Sequence, residues 1–262
     1  MNAKRPGWLA LCAAAWLLAA CAATPPEPAS SPERPERNPE LAEAARQLGE
    51  AYLAGGNLVA ALRELKRAES LNPGDPITLF DIGLVYYYRE RYDQAIEHFE
   101  KALAIKPDFA PAMNSLGNAW LEKGEWDKAI AVYRRILEDA FYATPHFPLS
   151  NTGLAYYQKK DYAQAEKYFQ EALRIQPDFP NAVGGLAMTY NATGRHAEAA
   201  LRLERAIKKH PALPQLHYEL GRAYRGTGEP DKAAAAFRRA IELAPESPLA
   251  EEALRQLNAL GK

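Results

Sequence analysis

A small residue followed three places later by an aromatic one returns six times along this chain, and that recurrence constrains the fold more than any other feature. The pairs are Gly49 and Tyr52, Gly83 and Tyr86, Gly117 and Trp120, Gly153 and Tyr156, Ala187 and Tyr190, and Gly221 and Tyr224. The steps between the small residues are 34, 34, 36, 34 and 34. Twelve residues after each small residue comes an alanine: Ala61, Ala95, Ala129, Ala165, Ala199 and Ala233. Four further on comes a large apolar residue: Leu65, Phe99, Tyr133, Phe169, Leu203 and Phe237. Five of the six units close on a proline, at Pro73, Pro107, Pro177, Pro211 and Pro245. Units this short cannot bury an apolar face alone. They must stack, and stability then spreads along the array.

Within each unit the apolar residues fall three and four apart, the spacing of a buried helical stripe. Each unit therefore reads as two helices with a short turn near Gly56, Gly124, Gly194 or Gly228. Proline cannot continue the second helix and ends it. Glycine or alanine is expected where two helix backbones approach closely, with the large residue filling the space between helices. The pattern resembles the tetratricopeptide repeat (TPR). The fold class expected is all-α: a right-handed TPR solenoid of six helix-turn-helix repeats over 42–247, divided as 42–75, 76–109, 110–145, 146–179, 180–213 and 214–247. A capping helix follows over 248–262, with Leu249, Ala253, Leu254 and Leu257 covering the last repeat. The third repeat is two residues longer than its neighbours and carries Phe141 where proline is usual. This suits either a tolerated loop insertion or an aromatic edge that meets a partner.

The amino terminus has a different character. Lys4 and Arg5 precede an apolar run from Trp8 to Ala20, which is too short to span a bilayer as a stable helix. Residues 1–20 read as a signal peptide. Leu18-Ala19-Ala20-Cys21 resembles the lipobox of bacterial lipoproteins, which implies a diacylglycerol on the Cys21 thiol and removal of everything before it. Acyl chains contribute about 0.8 kcal/mol per buried methylene, so two or three hold a protein on a membrane. Ala22 rather than Asp follows the cysteine. By the same resemblance, that favours the outer membrane, facing the periplasm, over retention at the inner one. Residues 21–41 then form a proline-rich tether containing Pro25, Pro26, Pro28, Pro32, Pro35 and Pro39.

Chemistry is absent from the pattern. Lys and Arg total 32 against 33 Asp and Glu, a net charge of −1 that gives no general reason to bind nucleic acid. The two cysteines, Cys12 and Cys21, both fall in the leader region, so the body has no disulfide and no cysteine-ligated zinc. His98, His146, His196, His210 and His217 form no metal-ligand pair and read as surface or packing residues. No phosphate loop or nucleophile elbow occurs. The chain is expected to be no enzyme and to need no cofactor.

What remains is a groove. In TPR proteins the first helix of each repeat lines the concave side through its second, fifth, ninth and twelfth positions. Counting in register nominates Phe80, Leu84 and Tyr87, then Asn114, Asn118 and Leu121, then Phe147, Leu154 and Tyr157. The fifth repeat offers Asn181, Met188 and Asn191, and the sixth Tyr218, Arg222 and Arg225. An amide that donates and accepts suits a peptide backbone, and tyrosine suits an interface. Some of these residues are expected only to pack against the next repeat. The carboxylate clamp of chaperone-binding TPR proteins is missing, since Glu50 and Leu84 stand where asparagine is wanted.

The leader, the lipobox, the proline-rich tether and six repeats together resemble the pilotins of type IV pili. The junction Leu137-Glu-Asp-x-x-Tyr142-x-x-Pro145 is the most specific part, with Asn151-Thr-Gly153-Leu154-x-Tyr156 and Asp161-Tyr162 after it. The resemblance implies a protein partner, a secretin subunit, helped to reach and assemble in the outer membrane. Repeats five and six depart toward generic TPR. Two other roles fit a TPR lipoprotein: an adaptor for peptidoglycan hydrolases or envelope proteolysis, and an accessory protein of exopolysaccharide export.

Overall fold

The computed structural model describes residues 38–139 and 142–261. The leader, Cys21, the prolines before Asn38 and the aromatic edge expected at Phe141 lie outside the described residues. Those residues form thirteen helices and no strand. They run as pairs: α1 (Pro39–Ala54) with α2 (Leu58–Leu71), α3 (Pro76–Tyr88) with α4 (Tyr92–Ile105), and α5 (Ala110–Glu122) with α6 (Trp126–Leu137). Then come α7 (His146–Gln158) with α8 (Tyr162–Ile175), α9 (Pro180–Ala192) with α10 (His196–Lys209), and α11 (Pro214–Gly226) with α12 (Pro230–Leu243). The single helix α13 (Pro248–Ala259) packs against both α11 and α12.

Five of the thirteen helix starts carry a side-chain cap. Asn38, Asn57, Asp161 and Ser247 each accept a hydrogen bond from a backbone N–H in the first turn, at 3.0, 3.1, 3.2 and 3.1 Å. Helix α1 begins three residues before the expected repeat boundary, because Asn38 caps it and Pro39 is tolerated in the first turn, where its missing N–H costs nothing. The closing prolines sit just past the helix ends. After α4, for example, Lys106 is the C-cap and Pro107 follows.

Each first helix touches its own partner, the previous second helix and the neighbouring first helices, whereas second helices touch no other second helix. The odd-numbered helices therefore form an inner layer and the even-numbered ones an outer layer of a curved stack. The small residues work somewhat differently from the expectation of close backbones. The large residue of the second helix lays its ring or branch over the glycine of the first. A Cβ added at Gly83 would fall 2.5 Å from Phe99 Cε1, and one at Gly221 would fall 2.6 Å from Phe237 Cδ1. Phe99, Tyr133, Phe169 and Phe237 are the largest fully buried side chains. Each occupies volume that a β-carbon would take.

At the turns inside each pair one residue adopts a left-handed backbone. Four repeats use glycine there, as at Gly124 with φ of 76°. The second and fourth use Glu90 and Lys160, with φ of 58° and 62°. Left-handed backbone costs a non-glycine residue roughly 1–2 kcal/mol, and glycine's extra unfolded freedom offsets part of that. Glu90→Gly and Lys160→Gly are each expected to stabilise by about 0.5–1 kcal/mol, read as a higher urea midpoint at unchanged slope. A lowered midpoint would contradict this.

The connection after the third repeat spans 138–145, against 106–109 and 176–179 on either side. Two inserted residues account for half of the excess. The other half comes from α6, which has 12 residues where α4 and α8 have 14. With no proline after it, α6 ends on Glu138 in helical geometry, and Tyr142 folds back onto the cluster around Met113 and Tyr133.

Candidate functional site

Position five of the first helix, followed through the repeats, reads Arg46, Phe80, Asn114, Ser150, Gly184 and Tyr218. At Phe80 the side chain turns into the stack and meets the rings of Phe99 and Phe109, with centroids 5.8 and 5.2 Å away. At Ser150 and Gly184 almost nothing projects. A cavity of about 620 Å³ results, lined from α7, α9 and α11, by Phe169 of α8 and by Leu249 at the start of α13. That volume is in the range of sites that hold a ligand or a large side chain. Its apolar wall is Leu154, Phe169, Met188, Leu213, Leu216 and Leu249, and its polar groups include Ser150, Asn151, Asn181, Gln215, Tyr218, Glu219 and Arg222.

The wall carries one built ion pair. Glu219 is 5% exposed and accepts from Arg222 Nη1 at 3.0 and 3.1 Å and from Asn191 Nδ2 at 2.9 Å. Burial pushes the Glu219 carboxyl above its ordinary range, opposed by Arg222 and Asn191. Burial works against the Arg222 guanidinium, but the neighbouring Glu219 outweighs it and holds Arg222 above its usual value. Tyr157 sits close by, and burial raises its hydroxyl.

The nominated positions divide. Leu154, Asn181, Met188, Tyr218 and Arg222 line the cavity. Arg225 is not among the lining residues; it lies three residues beyond Arg222 on α11, exposed and bonded to the amide of Gln256. Phe147 is 42% exposed and packs edge-on to Phe179 at 5.0 Å. Leu84 and Tyr87 pack on the second-repeat core and Leu121 on the third. Three of the nominated positions are engaged within the stack. Phe80 plugs the stack. Asn118 is occupied internally, accepting from Tyr133 Oη at 2.6 Å and Asn151 Nδ2 at 2.9 Å, so its carbonyl is not offered to a peptide. Asn191 is buried and spends its amide on Glu219, whose side chain is buried beside it. Asn114 stays half-buried in the same row, its Oδ1 buried without a partner among the described residues.

Ser150, Asn151, Gly184, Gln215 and Glu219 line the cavity without being among the residues nominated by register. The signal for Ser150 and Gly184 was present as small residues in a register position that elsewhere holds Phe80, Asn114 or Tyr218. All five histidines have local partners: His98 Nδ1 with the Gln94 carbonyl, His196 with Asn191, His210 with the Asp178 carbonyl, His217 with the Pro211 carbonyl, and His146 against the Phe179 ring. Among the described residues no cluster of three or more His, Cys, Asp or Glu could hold a metal, and no helix is long and apolar enough to cross a membrane.

The amino-terminal end of the inner face is charged instead. Asp81 on α3 is 5% exposed, with Arg46 Nη1 of α1 at 3.9 Å and Glu50 of α1 and Asp75 of the α3 cap also facing it. Burial, then Glu50, raises its pKa from an ordinary 3.8 to about 8. The native state thus keeps a proton that the unfolded chain loses, and stability falls as pH rises from about 4 to about 8. Asp81→Asn is expected to flatten that fall and to stabilise by roughly 2 kcal/mol at pH 8 while changing little at pH 4. Urea midpoints across that range check it. An unchanged pH slope would mean that Asp81 stays ionised.

A family model described as the cilia and flagella-associated protein 70 C-terminal domain matches residues 36–260. The probable UDP-N-acetylglucosamine–peptide N-acetylglucosaminyltransferase SEC of Arabidopsis thaliana is 39% identical over 79 residues, 30% of this chain and 8% of that protein. The type IV pilus assembly protein PilF of Pseudomonas aeruginosa is 30% identical over 133 residues, 50% of this chain and 52% of PilF. The chain thus spans at most about half the length of these curated relatives. The crystal structure of PilW, described as a widely conserved type IV pilus biogenesis factor, superposes with a TM-score of 0.73 at 23% identity, over 82% of this chain and 99% of PilW. That likeness extends to the fold.

Proposed function

The chain belongs to the TPR family described as the cilia and flagella-associated protein 70 C-terminal domain, and from that premise we propose that this protein-interaction scaffold is a lipid-anchored, non-catalytic adaptor in type IV pilus assembly. The observation that carries the binding role is the inner face of the fourth and fifth repeats. Its open nominated positions, Phe147, Leu154, Asn181 and Met188, are uncharged, and they lead into or line a preformed cavity. A polypeptide segment laid along it would lose little by desolvation and would gain apolar area. The relation to PilF over half the chain supports the pilus assignment, with a secretin subunit as the captured partner. Cys21 supplies the anchor. Confinement to a membrane surface raises the partner's effective concentration without any new contact.

Two measurements test this. Cys21→Ser is expected to move the protein out of the outer-membrane fraction and to impair pilus assembly; unchanged fractionation with normal pili contradicts the anchor. A photo-crosslinker at Asn181, on the exposed lip of the cavity, is expected to trap one envelope protein in intact cells. Recovery of a secretin subunit supports the pilus role. Recovery of a peptidoglycan hydrolase replaces it, and no protein adduct removes the groove from the account.

A further inference from the structure

We propose that the cavity between α7, α9 and α11 receives one large aromatic side chain of the partner segment, and that Arg225, one turn of α11 beyond the cavity-lining Arg222, pairs with a carboxylate next to that residue. This rests on the groove reading above and names what the groove selects. The chain carries its own template for the occupant. In the second repeat the register position of Gly184 holds Phe80, whose ring lies against Phe99 and Phe109. In the fifth repeat the position is empty: Leu203 and Leu213 stand where the second repeat has Phe99 and Phe109, and the Phe169 ring of the fourth repeat lines the open space. A Cβ at Gly184 would meet only Leu216 Cδ2, at 3.6 Å, an ordinary contact, so the space begins directly above that backbone. The paired glycines have separate roles. Gly185 admits the Phe169 ring, which would overlap any β-carbon there, and Gly184 leaves the room above it.

The charges specify the rest. Glu219 and Arg222 satisfy one another at the wall, so the inserted side chain itself is uncharged. Arg225 follows Arg222 by three residues on the same helical face, is exposed, and hydrogen-bonds the neutral amide of Gln256 rather than a carboxylate. The complementary partner is therefore an internal aspartate or glutamate adjoining the aromatic residue.

Methionine methyl groups report on this directly. Met188 lines the cavity, while Met113 is buried in the third-repeat cluster and serves as the internal reference. The full chain, carrying carbon-13 methyl methionine, is titrated with N-acetylphenylalaninamide and with N-acetylalaninamide. The aromatic probe is expected to shift the Met188 signal and leave Met113 in place, with an apparent affinity roughly ten- to a hundredfold above the alanine probe. Gly184→Phe should abolish the response at unchanged helicity, and Gly184→Leu fills the same space should the larger ring disturb the fold. N-acetyl-Asp-Phe-amide should bind about threefold tighter than its Asn counterpart, and Arg225→Gln should erase that difference. Equal response to the phenylalanine and alanine probes, or an undiminished response in both filled variants, overturns the proposal; indistinguishable dipeptides overturn its carboxylate half. If Asn181 traps a protein while Met188 stays silent, the cavity proposal fails and the groove reading stands. If Met188 responds while no protein is trapped, the groove reading fails and the aromatic site stands.

Discussion

Phe169→Ala is expected to cost about 4 kcal/mol and to split the unfolding of the array. The ring is 1% exposed and belongs to α8, yet it lies over Gly153 of α7 on one side and Gly185 of α9 on the other. It is thus shared between the fourth and fifth repeats. Its removal leaves a hole bounded by two glycines, which cannot swing a side chain into the gap. A solenoid has only nearest-neighbour contacts across that plane, so the loss falls on one interface. Of the four tryptophans, Trp120 and Trp126 lie within the solenoid, both in the third repeat. In the wild type, circular dichroism and tryptophan fluorescence should report one urea transition. In the variant, helicity should begin to fall at lower urea than fluorescence, as the carboxy-terminal repeats separate first. A loss below about 1 kcal/mol with coincident transitions would show that the interface does not depend on this ring.

Arg222→Met is expected to cost roughly 3 kcal/mol at pH 8 and about 1 kcal/mol at pH 5. Removing the guanidinium leaves Glu219 buried with Asn191 as its remaining partner. The Glu219 carboxyl already lies above its ordinary 4.5, because burial disfavours its charge, and without Arg222 it rises further. The native variant then holds a proton that the unfolded chain has lost, so its stability falls as pH rises through that window and returns on acidification. Adding Glu219→Leu should recover most of the loss, since a buried ion pair replaced by apolar groups of similar size is often neutral. Urea midpoints for both variants at pH 5 and pH 8 decide the matter. A pH-independent loss would assign Arg222 a packing role through its alkyl stem.

The fold was legible because its rules are local. The turns at Gly56 and Gly124 and the helix stops before Pro107 and Pro177 each depend on residues within one repeat or its neighbour. The site was half legible. Register counting placed Leu154, Asn181, Met188, Tyr218 and Arg222 on the inner face, and the structure brings those five into one cavity. It could not separate Asn114 from Asn118, four residues apart on one face, although the second is consumed by Tyr133 of α6 and Asn151 of α7. It favoured large side chains as contacts, and so passed over Ser150 and Gly184, whose contribution is the volume they leave empty.

The repeated pattern alone dictated six helix pairs stacked in order, because each pair exposes an apolar stripe that only the next can cover. Tertiary packing decided which of the inward positions are open and which are spent. Hydrogen-bond partners such as Asn191 with Glu219, 28 residues apart, and the void above Phe169 exist only once neighbouring helices fix their separation. A one-dimensional period carries no information about the space left between side chains.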